Sequence, residues 1–205
     1  MADAVGICNL ALVHIGEEGT VTSLDPPEGS EEAGACAAFY PTAVSALLDM
    51  FDWNFATRRA QLAQYAATDD LHGWKFAYAL PADCIRLQWV RTKDWQRFFV
   101  PPDEDFEIIA RGKAGRMLLT DCEDAVVSYV SSEVSTGQYS PAFVDALSWY
   151  LAKQLAGERI KGKEGASFAQ NCEQQFQAAL SRARKSDARQ YRSRTEYRPS
   201  WITGR

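Results

Sequence analysis

The hydrophobic period changes twice along this chain, and that constrains the fold more than any other feature. From Ala2 to Gly16 apolar residues fall at Val5, Cys8, Leu12 and Ile15, the spacing of one helix face. Glu31 to about Phe51 repeats it with Cys36, Phe39, Tyr40, Ala43 and Leu47. Between residues 84 and 90 the period drops to two, with Cys84, Arg86, Gln88 and Val90 alternating with Ile85, Leu87 and Trp89. Helical spacing returns after Pro141, with Phe143, Leu147, Tyr150, Leu151 and Leu155. It continues from Glu164 to about Arg189, with Phe168, Cys172, Phe176, Ala179, Leu180 and Ala183. Amphipathic helices at both ends can bury their stripes only against each other, so the β segment is an excursion from one bundle. The predicted fold is therefore α+β. A bundle of N- and C-terminal helices (2–16, 31–65, 141–160 and 164–189) carries an inserted small antiparallel sheet, about 83–132, and an extended C-terminal tail. Residues 1–187 form the body and 188–205 the arm.

Breaks and caps sharpen these limits. Gly16 suits the position just past a helix end, and Ser30, followed by Glu31 and Glu32, suits a helix start. Pro141 after Ser140 is a second start signal. Pro41 lies inside the second helical pattern, where proline costs about 3 kcal/mol, so a kink or two helices meeting end to end is expected. A short helix is expected at Arg58 to Tyr65, and further strands at 96–100, 106–110, 116–120 and 125–131.

The second helical block runs into the stretch FDWNFATRRAQLAQ, residues 51–64. Trp53 and Phe55 flank Asn54, and each ring can bury about 150–250 Å². Asn54 can bond to nearby backbone and turn the chain. An aromatic corner is expected here, with Trp53 and Phe55 buried where helices and sheet meet and Arg58 and Arg59 facing outward. Leu47, Leu147 and Phe176 are the other core residues singled out.

The residues for catalysis are not assembled in any recognised pattern. The chain has no G-x-S-x-G, H-E-x-x-H, P-loop or G-x-G-x-x-G string. The five cysteines (Cys8, Cys36, Cys84, Cys122 and Cys172) form no CxxC pair and read as reduced, packed thiols. His14 reads as a partly buried structural histidine and His72, beside Asp69 and Asp70, as a solvated loop residue. Asp121, Glu123 and Asp124 read as a polar turn between strands, with a hard-cation site as the alternative. The chain is read as non-enzymatic, with no cofactor and no metal. No apolar run approaches the ~20 residues that span a bilayer, and no signal peptide is recognisable, so a soluble protein made inside a cell is expected.

Three separated strings, in order, carry more: ICNLALVHIG from residue 7, WNFATRRAQLA from residue 53 and AYALPADCIRL from residue 77. Together they resemble the tail tubular protein A family, the head-to-tail adaptors of short-tailed bacteriophages. The resemblance runs from about Ala4 to about Ala156. The resembling proteins often carry an acidic residue near Pro41, where this chain departs. The resemblance implies a structural virion protein of the neck, assembled in the host cytoplasm. It implies a dodecameric ring of this chain joining the portal protein to a tail nozzle of the tail tubular protein B kind. DNA passes through the enclosed channel without sequence-specific binding and leaves that way at ejection, with no membrane involved.

Charge is split along the chain. Residues 182–205 hold eight basic and two acidic residues, whereas residues 1–181 hold 14 basic and 25 acidic. An acidic body suits a channel wall that repels phosphate. The arm, with Arg189, Tyr191, Arg192, Arg194, Tyr197, Arg198 and Trp201, has no apolar period and suits a protein partner through arginine forks and aromatic anchors. With the resemblance, that partner is the portal. A nucleic-acid-binding protein using the same arginines is the alternative, and a merely solvated end is the third reading.

Overall fold

The computed structural model describes residues 3–65, 71, 73–93, 104–110, 115–160 and 162–190. Its helices are α1 (Ala4–His14), α2 (Glu31–Asp49), α3 (Pro141–Arg159) and α4 (Gly162–Ala188). Between α2 and α3 run β1 (Thr57–Gln61), β2 (Phe76–Ala79), β3 (Cys84–Thr92), β4 (Phe106–Ala110), β5 (Arg116–Thr120) and β6 (Ala125–Ser131). The fold is α+β. A short 3-10 turn, Thr136–Gln138, leads into α3.

The helix starts follow their capping residues. Asp3 Oδ1 accepts from Gly6 N at 2.8 Å, Ser30 Oγ from Ala33 N at 3.1 Å and Ser140 Oγ from Phe143 N at 3.2 Å. Gly16 takes φ +84° just after α1, a left-handed conformation that glycine adopts without strain. Pro41 does not divide α2: one helix runs from Glu31 to Asp49, with the proline on its exposed side. Buried Ala33 and Cys36 before it, and Ala43, Leu47 and Leu48 after it, hold both halves against the core.

Helix α3 is the hub, packing against α1, α2 and α4. Leu47, Leu147 and Trp53 are fully buried in this core and Phe176 nearly so. Phe168, expected on the buried stripe of α4, is 43% exposed, because the inward face of that helix runs through Gly165, Ala169, Cys172 and Phe176 instead.

The β region differs from expectation in three ways. Residues 57–61 form a strand, not a helix, pairing in register from Thr57↔Val130 to Gln61↔Val126. Arg, Ala and Gln favour helix locally, but a ladder with β6, the Val- and Tyr-rich AVVSYVS, outweighs the few tenths of a kcal/mol per residue at stake. The strands make two antiparallel three-stranded sheets, ordered β1-β6-β3 and β2-β5-β4, rather than one. Strands β1 and β2 lie outside the expected 83–132 span. Strand β3 does not bury alternate residues. Register shifts between Cys84 and Arg86 and between Leu87 and Trp89 leave Cys84, Leu87 and Val90 buried. The strand expected at 96–100 lies outside the described residues.

The two sheets enclose a second core of Leu62, Tyr78, Cys84, Leu87, Val90, Leu118, Val127 and Tyr129. Tyr78 is buried there and its hydroxyl donates to Cys122 O at 2.9 Å. Backbone bonds from Tyr65 N to Ala77 O (2.8 Å) and from Ala79 N to Ala63 O (3.2 Å) tie the end of β1 to β2, and so one sheet to the other.

Candidate functional site: the aromatic corner and the sheet face beside it

Helix α2 stops at Met50, and the chain turns through residues 51–56 into β1. Trp53 is fully buried in that turn. Its ring meets Phe143 edge-on at 5.0 Å and 84°, and Phe51 at 5.1 Å. The indole Nε1 donates to Leu47 O at 2.8 Å, satisfying a carbonyl that the end of the helix leaves free. Phe55 is half-buried rather than buried, with Phe143 at 4.9 Å and Tyr139 at 5.7 Å.

Asn54 does more than turn the chain locally. Its backbone N donates to the Asp187 carboxylate (3.1 and 3.2 Å), and its Nδ2 donates to Asp187 Oδ2 at 2.7 Å and Asp187 O at 2.8 Å. Asp187 is buried in the last turn of α4, 133 residues away. Burial pushes its carboxyl above the usual range, opposed by the bonds from Asn54. One turn earlier, Arg184 donates to Met50 O at 3.1 Å and lies over the Phe51 ring at 5.6 Å. The last turn of α4 is thus latched to the corner, which fixes where the arm leaves the body. Arg189 is exposed just beyond the latch. Tyr191, Arg192, Arg194, Tyr197, Arg198 and Trp201 lie outside the described residues.

The two arginines of the corner string separate onto opposite faces of β1. Arg58 bonds to Asp83 Oδ2 at 3.1 Å and to the Glu133 carbonyl. Asp83 also accepts from Ser131 Oγ at 2.6 Å and Tyr129 OH at 3.2 Å. Burial alone would raise the Asp83 carboxyl, but bonds from Ser131 and Tyr129 and the Arg58 charge outweigh it and hold it below the ordinary value. Arg59, on the other face, is exposed and lies over the Trp89 ring at 5.4 Å, and Arg91 lies over that ring at 4.3 Å.

No catalytic arrangement emerges among the described groups. His14 stacks on Trp149 at 3.6 Å and its Nε2 lies 3.1 Å from Ser148 Oγ. That hydroxyl donates to Asp145 O at 2.9 Å, so the imidazole is the donor to serine, opposite to a base that would activate it. Burial lowers the His14 pKa, partly offset by the Asp145 charge. His72 lies outside the described residues. All five cysteines are buried free thiols. Asp121, Cys122, Glu123 and Asp124 make the turn between β5 and β6, with Asp121 Oδ1 accepting from Lys75 N at 3.0 Å. Among the described residues no group of three or more His, Cys, Asp or Glu is placed to hold a metal ion. An open groove of about 310 Å³ between α2 and the segment after β6 is lined by Tyr40, Pro41, Val44, Ser132, Val134 and Tyr139, among others. It presents hydroxyls and apolar surface, but no carboxylate, imidazole or thiol. No described helix is long and apolar enough to cross a membrane.

The three strings of the resemblance occupy connected positions. ICNLALVHIG is most of α1 and its glycine stop, WNFATRRAQLA is the corner and β1, and AYALPADCIRL is β2, a turn and the start of β3. The Arg58–Asp83 pair joins the second string to the third. No family model matches this chain, and a comparison with curated proteins finds no match either.

Proposed function

We propose that this chain is a head-to-tail adaptor, a ring-forming neck protein that joins a portal to a tail nozzle around a DNA channel. The observation that carries the reading is the ordered set of three strings, residues 7–16, 53–63 and 77–87. The fold is compatible with it: the first string is most of the buried helix α1, and the Arg58–Asp83 pair joins the second string to the third. The latch of Asp187 on Asn54 gives the C-terminal arm a fixed point of departure. In this reading the arm is the portal contact. Its arginines pair with carboxylates on the portal, and Tyr191, Tyr197 and Trp201 anchor it. Beyond α4 and the turn that ends it, residues 191–205 would span up to about 50 Å if extended, enough to reach past a neighbouring subunit.

The protein is an assembly part without catalytic activity, and the portal templates its ring. Alone at micromolar concentration it remains monomeric or forms small species. Negative-stain electron microscopy of the protein mixed with portal rings tests this. Added ring density on one face of the portal is expected. Bare portals at saturating protein would refute the adaptor reading.

A further inference from the structure

The groove of about 310 Å³ along α2 lies next to the aromatic corner. One wall carries Tyr40, Pro41 and Ser45 of α2, and the other carries Ser132, Val134 and Tyr139, between β6 and α3. Two contacts tie the second wall to the corner. The Phe55 ring lies 5.7 Å from Tyr139, and Ser131 N donates to Ala56 O at 2.9 Å, which sets Ser132 beside the turn. Asn54, the residue before Phe55, holds the last turn of α4 through Asp187. The point where α4 is pinned is thus one residue and one ring contact from a groove wall. Gln190, whose N donates to Asp187 O at 2.9 Å, is the last described residue.

The walls select by shape and hydroxyl groups. Tyrosine rings on both sides of a groove suit an extended segment bearing proline and aromatic side chains, because such a segment is already near its bound form and loses little freedom. Residues 197–201, Tyr-Arg-Pro-Ser-Trp, have that composition. Pro199 fixes its own φ near −65°, and Arg198 before it favours an extended form. Seven residues lead from Gln190 to Tyr197, a reach of up to about 25 Å. Charge acts in the same direction. Residues 191–205 hold four arginines and one glutamate, whereas residues 1–181 hold 25 acidic and 14 basic residues. A tether this short presents the segment to the groove at about millimolar effective concentration, above that of a second copy in a micromolar solution.

We infer that the groove between α2 and residues 132–139 seats residues 197–201 of the chain's own C-terminal arm. The inference rests on the reading of residues 191–205 as a binding arm and names where that arm docks before a portal competes for it.

Crosslinking in the full-length chain tests it. One variant carries Ser45→Cys with Ser200→Cys, and a reference variant carries Ser181→Cys with Ser200→Cys. Ser45 and Ser181 are exposed, and the five native thiols are buried. Ser181 lies about 9 Å along α4 from Asp187, so a tether alone carries residue 200 to it with ease. A short bis-maleimide is added at low micromolar protein, and gel mobility with peptide mass spectrometry separates links within one chain from links between chains. The 45–200 link is expected within one chain, about tenfold or more above the 181–200 link, because a seated segment gains over a tether alone. Adding Trp201→Ala should bring it down to the 181–200 level. Ser132→Cys with Ser200→Cys gives the same reading from the other wall if circular dichroism shows the first pair misfolded. The inference is overturned if the two yields are alike or if Trp201→Ala leaves the 45–200 yield unchanged. It is also overturned if the link forms only between chains, which would give the groove to a second copy's arm. Portal rings are then added to the linked pair's unreacted form. Loss of the 45–200 link on their addition supports both the seat and the portal contact. If the link forms and portal rings leave it unchanged, the seat stands and the portal role of the arm falls.

Discussion

Trp53→Ala should be among the most destabilising single changes in this protein. The side chain is fully buried and packed on Phe51, Phe55 and Phe143. Burying such a ring and leaving a cavity on its removal corresponds to about 3–5 kcal/mol. The lost bond from Nε1 to Leu47 O also leaves a buried carbonyl short of one donor, at about 1 kcal/mol or more. For a chain of this size each kcal/mol shifts the melting temperature by about 2–4 °C, so a drop of roughly 8–24 °C is expected. Trp53→Phe separates the two parts. It keeps most of the ring packing, removes the donor, and should cost about half as much or less. Urea unfolding followed by far-ultraviolet circular dichroism measures both. If Trp53→Ala shifts the midpoint by less than the equivalent of 1 kcal/mol, the corner does not organise the core and the reasoning fails.

Further outcomes follow from the latch, the Asp83 node and a cap. A chain ending at Lys185 loses Asp187 and should be less stable than one ending at Gln190, by about 1–2 kcal/mol after water replaces part of the lost bonding to exposed Asn54; equal midpoints would show that the latch contributes nothing. The half-buried Asp83 and the buried Asp187 give opposite pH signs. Asp83, held below its unfolded pKa, stabilises above that value and loses its contribution as pH falls through the folded one, so Asp83→Asn should flatten the acid limb of a stability–pH curve. Asp187, raised above its unfolded pKa, is relatively most favourable at low pH and loses stability as pH rises from the unfolded value through the folded one, so Asp187→Asn should remove that decline; an unchanged curve for either variant contradicts its assignment. Ser140→Ala removes the N-cap of the hub helix and should cost about 1 kcal/mol by chemical denaturation, with a loss below about 0.3 kcal/mol counting against the cap.

Much of the helical half was legible because its stripes are regular. Leu47, Leu147 and Phe176 fall on periodic positions and are buried where that period places them. Trp53 was legible as a large ring at the end of a helical run. Strand β1 was not, because Arg, Ala and Gln favour helix and the partner that overrides them, β6, lies about 70 residues later. The burial pattern of β3 was hidden by two bulges, which no alternation rule anticipates. Asp187 was missed as the anchor of Asn54, yet a signal existed. It continues the buried series Phe176, Leu180 and Ala183 by one more turn, and a carboxylate on an apolar stripe requires a partner. The face that carries Arg59, Trp89 and Arg91 depends on the register of β1 and β3 on β6, about 70 and 40 residues further along the chain, so periodicity within either strand carries no trace of it.

Native mass spectrometry of portal rings incubated with this protein tests the adaptor claim most directly. The account predicts a discrete added mass equal to a full ring of this 22.8 kDa chain, dodecameric by the resemblance, and its loss when residues 191–205 are removed. A portal mass unchanged by saturating full-length protein would contradict it.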